Sequence, residues 1–340
     1  MKYRTFGRTG LRVSELSLGA MTFGQEVAWG EGKEESRRVF DAFVEAGGNF
    51  IDTANVYTSG TSERYLGEFM KGGRERLVVA TKYVFTTNPR DPNASGSHRK
   101  NMVQAVEASL RRLGTDYVDI LWAHVYDRYT PVEEMMRAFD DLVRQGKVLY
   151  PGVSDAPAWI VAHANTLASL RGWSPFAGLQ IEYSLIQRTV ERDLIPMAEH
   201  FGLCVAAWAP LASGLLSGKY RSSEPPAEKR RLDVVQFVQR NERNLRIADA
   251  VSLVAEEIGY TPSQVALSWL RQKSPSVIPI IGARTAEQLR ENLQCLDCSL
   301  PPEKMEQLEK VSAVEQGFPH DFLRFVHDGI KGDVDLERMF

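Results

Sequence analysis

Asn49-Phe50-Ile51-Asp52, Leu77-Val78-Val79-Ala80-Thr81-Lys82 and Val118-Asp119-Ile120-Leu121-Trp122-Ala123-His124 are three short apolar runs that each end on an ionisable residue. Each reads as a strand, and each is followed by a loop and then by apolar residues at helical spacing. Tyr57 stands five residues after the first run. If such strands lie parallel and close into a barrel, their carboxyl ends share one rim, and that rim is where such barrels do chemistry. Asp52, Tyr57, Lys82 and His124 would then meet in one pocket. A carboxylate, a phenol, an ammonium and an imidazole together suit proton donation at a carbonyl.

The rest of the chain repeats the same alternation. Strand patterns fall at residues 16–20, 50–53, 77–82, 118–125, 148–153, 178–183, 203–208 and 277–282. Helical patterns fall at 34–46, 62–70, 99–113, 131–145, 158–170, 191–200, 244–259 and 285–296. Eight strand–helix units in order predict an α/β chain folded as a (β/α)8 TIM barrel, one domain over residues 1–340. A doubly wound open sheet usually carries G-x-G-x-x-G after its first strand, and Gly19-Ala20-Met21-Thr22-Phe23-Gly24 does not match it. Thr61 or Ser62 can cap the helix at 62–70, and Thr130-Pro131 reads as an N-cap followed by a proline at the first helical position. Residues 2–15 read as an N-terminal hairpin placed to plug the barrel bottom. Residues 211–243, after the seventh strand, form a long charged excursion expected to close over a bound anion. The tail beyond Pro301 begins as a helix and then reads as irregular, with Phe318, Phe322, Phe325 and Phe340.

Composition narrows the function. The net charge of −3 gives no basic excess, which argues against nucleic acid or an anionic membrane surface as main partner. No apolar run reaches the ~18 residues of a membrane span. The first residues lack an apolar signal core, and three cysteines suit a reducing compartment, so cytoplasmic residence is expected. Cys295 and Cys298 form a lone C-x-x-C with no second pair and no neighbouring His cluster. They read as small residues at a helix end, and no metal site is expected.

Several separated segments carry a likeness. They are Gly19–Gly24, Asp52-Thr53-Ala54-Asn55-Val56-Tyr57, Thr81-Lys82, Trp122-Ala123-His124, Gly152-Val153-Ser154-Asp155, Gln180-Ile181-Glu182-Tyr183, Trp208-Ala209-Pro210-Leu211 and Gly282-Ala283-Arg284-Thr285. In this order they resemble the aldo-keto reductase superfamily over nearly the whole chain, and most of all its bacterial members that are similar to potassium-channel β subunits. The resemblance implies that Asp52, Tyr57, Lys82 and His124 form a catalytic tetrad. It implies a nicotinamide dinucleotide, usually NADPH, held without a Rossmann fold, and a small carbonyl compound as substrate. Met21 joins the implied cofactor set. Ser154, Asp155 and Gln180 are implied contacts of the nicotinamide carboxamide, with Trp208 stacked on the ring. Many family members have Asn where this chain has Asp155, and an ionised carboxylate accepts hydrogen bonds but cannot donate one. Leu211, Ser213, Gly214, Gly218 and Lys219 match the pyrophosphate segment. Gly282 and Arg284 match the ribose-phosphate turn, and Gln288, Glu291 and Asn292 lie near the adenine end.

The chemistry of those residues agrees with the likeness. Carbonyl reduction needs hydride at carbon and a proton at oxygen. Tyr57 can give the proton, although a free phenol has a pKa of ~10. Lys82 can stabilise the phenolate left behind, Asp52 can hold Lys82 charged, and His124 can orient the carbonyl oxygen. The Gly214–Gly218 spacing is one residue short of a P-loop, and Tyr220 stands where that motif needs Ser or Thr. Arg284 has the donor fork that suits a ribose 2′-phosphate, which favours NADPH over NADH. Two other classes remain. A metal-dependent barrel hydrolase lacks its H-x-H pair here. A regulatory subunit that senses redox state through the same NADPH site retains every residue named. Phe23, Trp29, Tyr57, Phe85 and Tyr126 are candidate walls of a substrate pocket for aromatic or medium-sized apolar aldehydes and ketones.

Overall fold

Eight parallel strands hydrogen-bond in one closed ring in the computed structural model, which describes residues 1–220 and 238–331. The hairpin strands are β1 (Tyr3–Thr5) and β2 (Arg12–Ser14), paired antiparallel with Tyr3 opposite Ser14. The barrel runs β3 (Ser17–Gly19), β4 (Phe50–Asp52), β5 (Val78–Tyr83), β6 (Val118–Ala123), β7 (Val148–Ser154), β8 (Gly178–Glu182), β9 (Cys204–Trp208) and β10 (Val277–Ile281), and β10 closes on β3. This is the predicted (β/α)8 barrel with its N-terminal hairpin.

The strand period of two explains where the site lies. Phe50, Ala80, Ile120, Trp122, Ala206 and Ile280 belong to one buried cluster inside the ring. Two residues further along each strand path come Asp52, Lys82, His124, Trp208 and Gly282. The same step leads from Gly152 to Ser154 and from Gly178 to Gln180. The barrel interior is thus apolar in its middle layer and turns polar in the next layer toward the carboxyl rim. Glycine makes room in the middle layer. A Cβ on Gly152 would lie 2.3 Å from the Trp122 ring, and one on Gly178 would lie 2.4 Å from Phe6.

The hairpin seals the opposite end, as its position in the sequence suggests. Phe6 is fully buried and meets Phe50 and Trp122 edge-on, with ring centroids 5.9 and 6.1 Å apart. A larger apolar cluster fills the space between the strands and the surrounding helices. No helix among the described residues is long and apolar enough to cross a membrane.

Tertiary contacts override some local signals. The helix Thr61–Phe69 is capped by Gly60 in the left-handed region, not by Thr61 or Ser62. The Ser62 hydroxyl is taken by the Ala20 carbonyl and by Thr53, while Thr58 Oγ1 accepts from the Ser62 amide. Pro131 is itself the N-cap of Val132–Arg144, because Thr130 turns its hydroxyl to Asp127. A helix at Pro262–Lys273 is additional to those expected, and the tail carries a further one at His320–Lys331 in place of irregular chain. Cys295 and Cys298 are buried free thiols, and burial raises the pKa of both, that of Cys295 to about 12. Residues 221–237, with the basic cluster Lys229-Arg230-Arg231, lie outside the described residues, as does Phe340.

Candidate active site

Lys82 is the centre of the polar layer. Its side chain is wholly buried, and Nζ has three donors. One goes to Asp52 Oδ2, one to the Thr53 carbonyl at 2.8 Å and one to the Tyr57 hydroxyl at 3.2 Å. Burial alone would lower the pKa of this ammonium, but Asp52 and Tyr57 outweigh it and raise the pKa. Lys82 is therefore charged. The other Asp52 oxygen accepts from Gln180 Nε2 at 2.9 Å. Behind the strand, Thr81 Oγ1 donates to Glu63 at 2.6 Å, and Arg112 pairs with the same carboxylate, which locks β5 against its helices.

Tyr57 sits on a turn held from several sides. Thr58 Oγ1 donates to the Phe23 carbonyl at 2.6 Å, and both Thr58 and Ser59 have positive φ. The His124 ring lies edge-on to Tyr57 at 5.9 Å and to Phe85 at 4.7 Å. Burial, helped by the Lys82 charge, pushes His124 down to about 2, so its imidazole is neutral. Its Nδ1 is buried with no partner among the described residues.

Beside this group stands a carboxylate that only accepts. Asp155 takes a hydrogen bond from Ser154 Oγ on one oxygen and from Trp208 Nε1 on the other, each at 3.1 Å. Ser154, Asp155, Gln180 and Trp208 are thus brought together, with Ser154 and Gln180 tied to carboxylates of this chain. The pocket walls crowd Asp155 enough to raise its pKa, although the residue is open to solvent at the mouth. Glu182, at the end of β8, is pushed up to about 6 by burial and by the Asp155 charge.

A cleft of about 400 Å³ opens over the ends of β9, β10 and β3. Leu211, Ser213, Gly214, Lys219, Gly282, Arg284, Gln288, Glu291 and Asn292 all line it. Gly218 faces an adjoining hollow with Ser252 and Pro262 instead. Met21 is half-buried next to Thr22, which lines the cleft. Of the expected substrate-pocket walls, Phe23 is core, packed on Phe69, and Trp29 lines this cleft. Tyr57 and Phe85 make ring contacts with His124, and the Tyr126 amide donates to the Asp155 carbonyl at 3.3 Å.

The backbone marks the same rim. Every non-glycine residue with positive φ among those described follows the carboxyl end of a barrel strand: Thr58, Ser59, Val84, Asp155, Ala209, Ala212 and Ser213. Such conformations cost about 1–3 kcal/mol each and persist only where the surroundings impose them. Some contributors have no sequence signal. Ser263, in the first turn of the unexpected helix, lines the cleft, and Glu31, from an irregular loop, pairs with Arg284 at 2.5 Å.

Comparison with known proteins agrees with this fold. The model of the Aldo/keto reductase family matches residues 15–313. An aryl-alcohol dehydrogenase [NADP(+)] of Phanerodontia chrysosporium is 42% identical over 335 residues, which cover 92% of this chain and 86% of that protein. Norsolorinic acid reductase stcV of Emericella nidulans is 40% identical, covering 92% and 82%. A putative aryl-alcohol dehydrogenase of Saccharomyces cerevisiae is 37% identical, covering 95% and 89%.

Proposed function

This chain belongs to the aldo/keto reductase family of oxidoreductases, and from that premise we propose that it reduces aromatic aldehydes and ketones with NADPH, Tyr57 giving the proton. The observation that carries the reading is the Lys82 ammonium, buried and shared between Asp52 and the Tyr57 hydroxyl. A charged donor on the phenol oxygen stabilises the phenolate left after proton transfer. His124 is the competing candidate for the acid. Its pKa of about 2 removes the imidazolium, so it serves as a neutral donor that orients the carbonyl oxygen.

The cofactor residues fit a nicotinamide dinucleotide, which when bound supplies the hydride. Trp208 offers a flat face fixed through its indole N–H. Ser154 and Gln180 lie in the layer beside it, while Lys219 and Arg284 bring positive charge to the cleft for phosphate groups. Asp155 holds Trp208 and Ser154 as an acceptor, a role an ionised carboxylate fills without donating. The aromatic preference rests on Phe85 and Tyr57 around His124 and on the names of the relatives. Those names also favour an enzyme over a redox-sensing subunit. Three buried free thiols suit a cytoplasmic setting.

The test is NADPH oxidation with a panel of aromatic aldehydes. Tyr57→Phe is expected to lower kcat at least ~100-fold, the low end of general-acid effects, while NADPH affinity is kept. Turnover near wild type in a folded variant would remove Tyr57 from the role of acid.

A further inference from the structure

NADPH and NADH differ only at the ribose 2′-oxygen, which carries a phosphate in one and a hydroxyl in the other. A guanidinium at that place favours the phosphate. A carboxylate accepts from the hydroxyl and repels the phosphate. Arg284 is the cleft residue suited to the phosphate, yet a carboxylate already stands against it: Glu31 Oε1 lies 2.5 Å from Arg284 Nε.

That carboxylate is built in. The Glu31 amide donates to the Thr22 carbonyl at 2.7 Å, and its carbonyl accepts from the Gly24 amide at 3.0 Å and from Ser36 Oγ at 3.3 Å. The segment is tied to the opposite turn as well, since Thr22 Oγ1 donates to the Ala283 carbonyl at 3.1 Å. Four residues on, Glu35 Oε1 accepts from the Ala286 amide at 2.9 Å, at the start of the helix Ala286–Leu293. Two carboxylates of one segment therefore meet both features of this turn that favour an anion. Thr22 and Trp29, which precede Glu31 in sequence, both line the cleft.

We propose that Glu31 is a specificity-determining residue that narrows the preference for NADPH and lets the cleft accept NADH. It offsets the Arg284 charge seen by a 2′-phosphate and offers an acceptor to a 2′-hydroxyl. The proposal rests on the reading of this cleft as the adenosine end of the cofactor site.

Direct titration of wild type, Glu31→Gln, Glu31→Asp and Arg284→Ala with NADPH and with NADH tests it, at low and high salt. Glu31→Gln is nearly isosteric. It is expected to bind NADPH about 5-fold tighter, the upper range for one partly exposed charge, and NADH about 3-fold weaker. The gain for NADPH should shrink at high salt. Glu31→Asp, whose carboxylate is withdrawn by one methylene, should move both affinities the same way by less. An unchanged NADPH-to-NADH ratio in Glu31→Gln, with Arg284→Ala still weakening NADPH, overturns the proposal and leaves the cofactor reading standing. Weaker NADPH binding in Glu31→Gln makes Glu31 a strut for Arg284 and overturns it too. If Arg284→Ala changes neither cofactor, the reading of the cleft itself falls.

Discussion

Glu182 is a carboxyl group held in the wrong place for its charge. Its pKa is pushed up to about 6 from an ordinary 4.5, first by burial and then by Asp155. Between those values the folded state binds the proton more tightly than the unfolded chain does, so stability falls as pH rises from about 4.5 to about 6 and is level outside that window. The full cost above it is at most ~2 kcal/mol, less after solvent screening. Glu182→Gln should therefore raise Tm at pH 7.5 and leave it nearly unchanged at pH 4. A Tm gain that is equal at both pH values would show that charge is not the cause. At this scale the sequence is legible where chemistry coincides with strand ends. Asp52, Lys82 and His124 each close an apolar run, which fixes both their face and their height in the barrel. Glu31 is not legible, because its place depends on a loop folding back onto Arg284 from the far end of the chain.

Elements are legible where the hydrophobic period is strong and hidden where it competes with something else. The parallel strands read directly as apolar runs because both their faces are buried. The helix Pro262–Lys273 escapes a reading by period, although Thr261 and Gln264 form a capping box with proline in the first turn. It is buried on most sides, with Ser263, Gln264 and Ser268 buried beside its apolar residues, so polarity in its sequence does not mark the face it hides. The Ser62 cap fails for the opposite reason: a tertiary acceptor, the Ala20 carbonyl, wins its hydroxyl. Strand β7 shows how one element is shaped by its neighbour. Trp122 on β6 fills the space where a Gly152 side chain would stand, its ring only 2.3 Å from where that Cβ would fall. Gly152→Ala should cost about 1–3 kcal/mol by overpacking, read from chemical denaturation. A neutral substitution would mean that the indole can move aside.

The molecule as a whole keeps stability and chemistry at opposite ends. Phe6 closes the amino end of the barrel against Phe50 and Trp122, far from the cleft residues on the other rim. Phe6→Ala should destabilise by about 3–5 kcal/mol through the cavity it leaves, with cofactor affinity unchanged by titration. A parallel loss of affinity would show that the two ends are coupled. The ring itself closes where β10 meets β3, through Ile280 opposite Ser17 and Ile281 opposite Leu18. This seam joins residues more than two hundred and fifty positions apart and lies under the cleft formed by Thr22, Gly282 and Arg284. During synthesis, Asp52, Tyr57, Lys82 and His124 all leave the ribosome before half the chain exists, while the sealing strand emerges among the last elements. Contacts of such long range form only after the intervening chain has been made and closed into a loop. On the function proposed above, a chain that stops before β10 would carry Asp52, Tyr57, Lys82 and His124 in its sequence yet lack the cleft wall at residues 280–292, so it is expected to bind no dinucleotide.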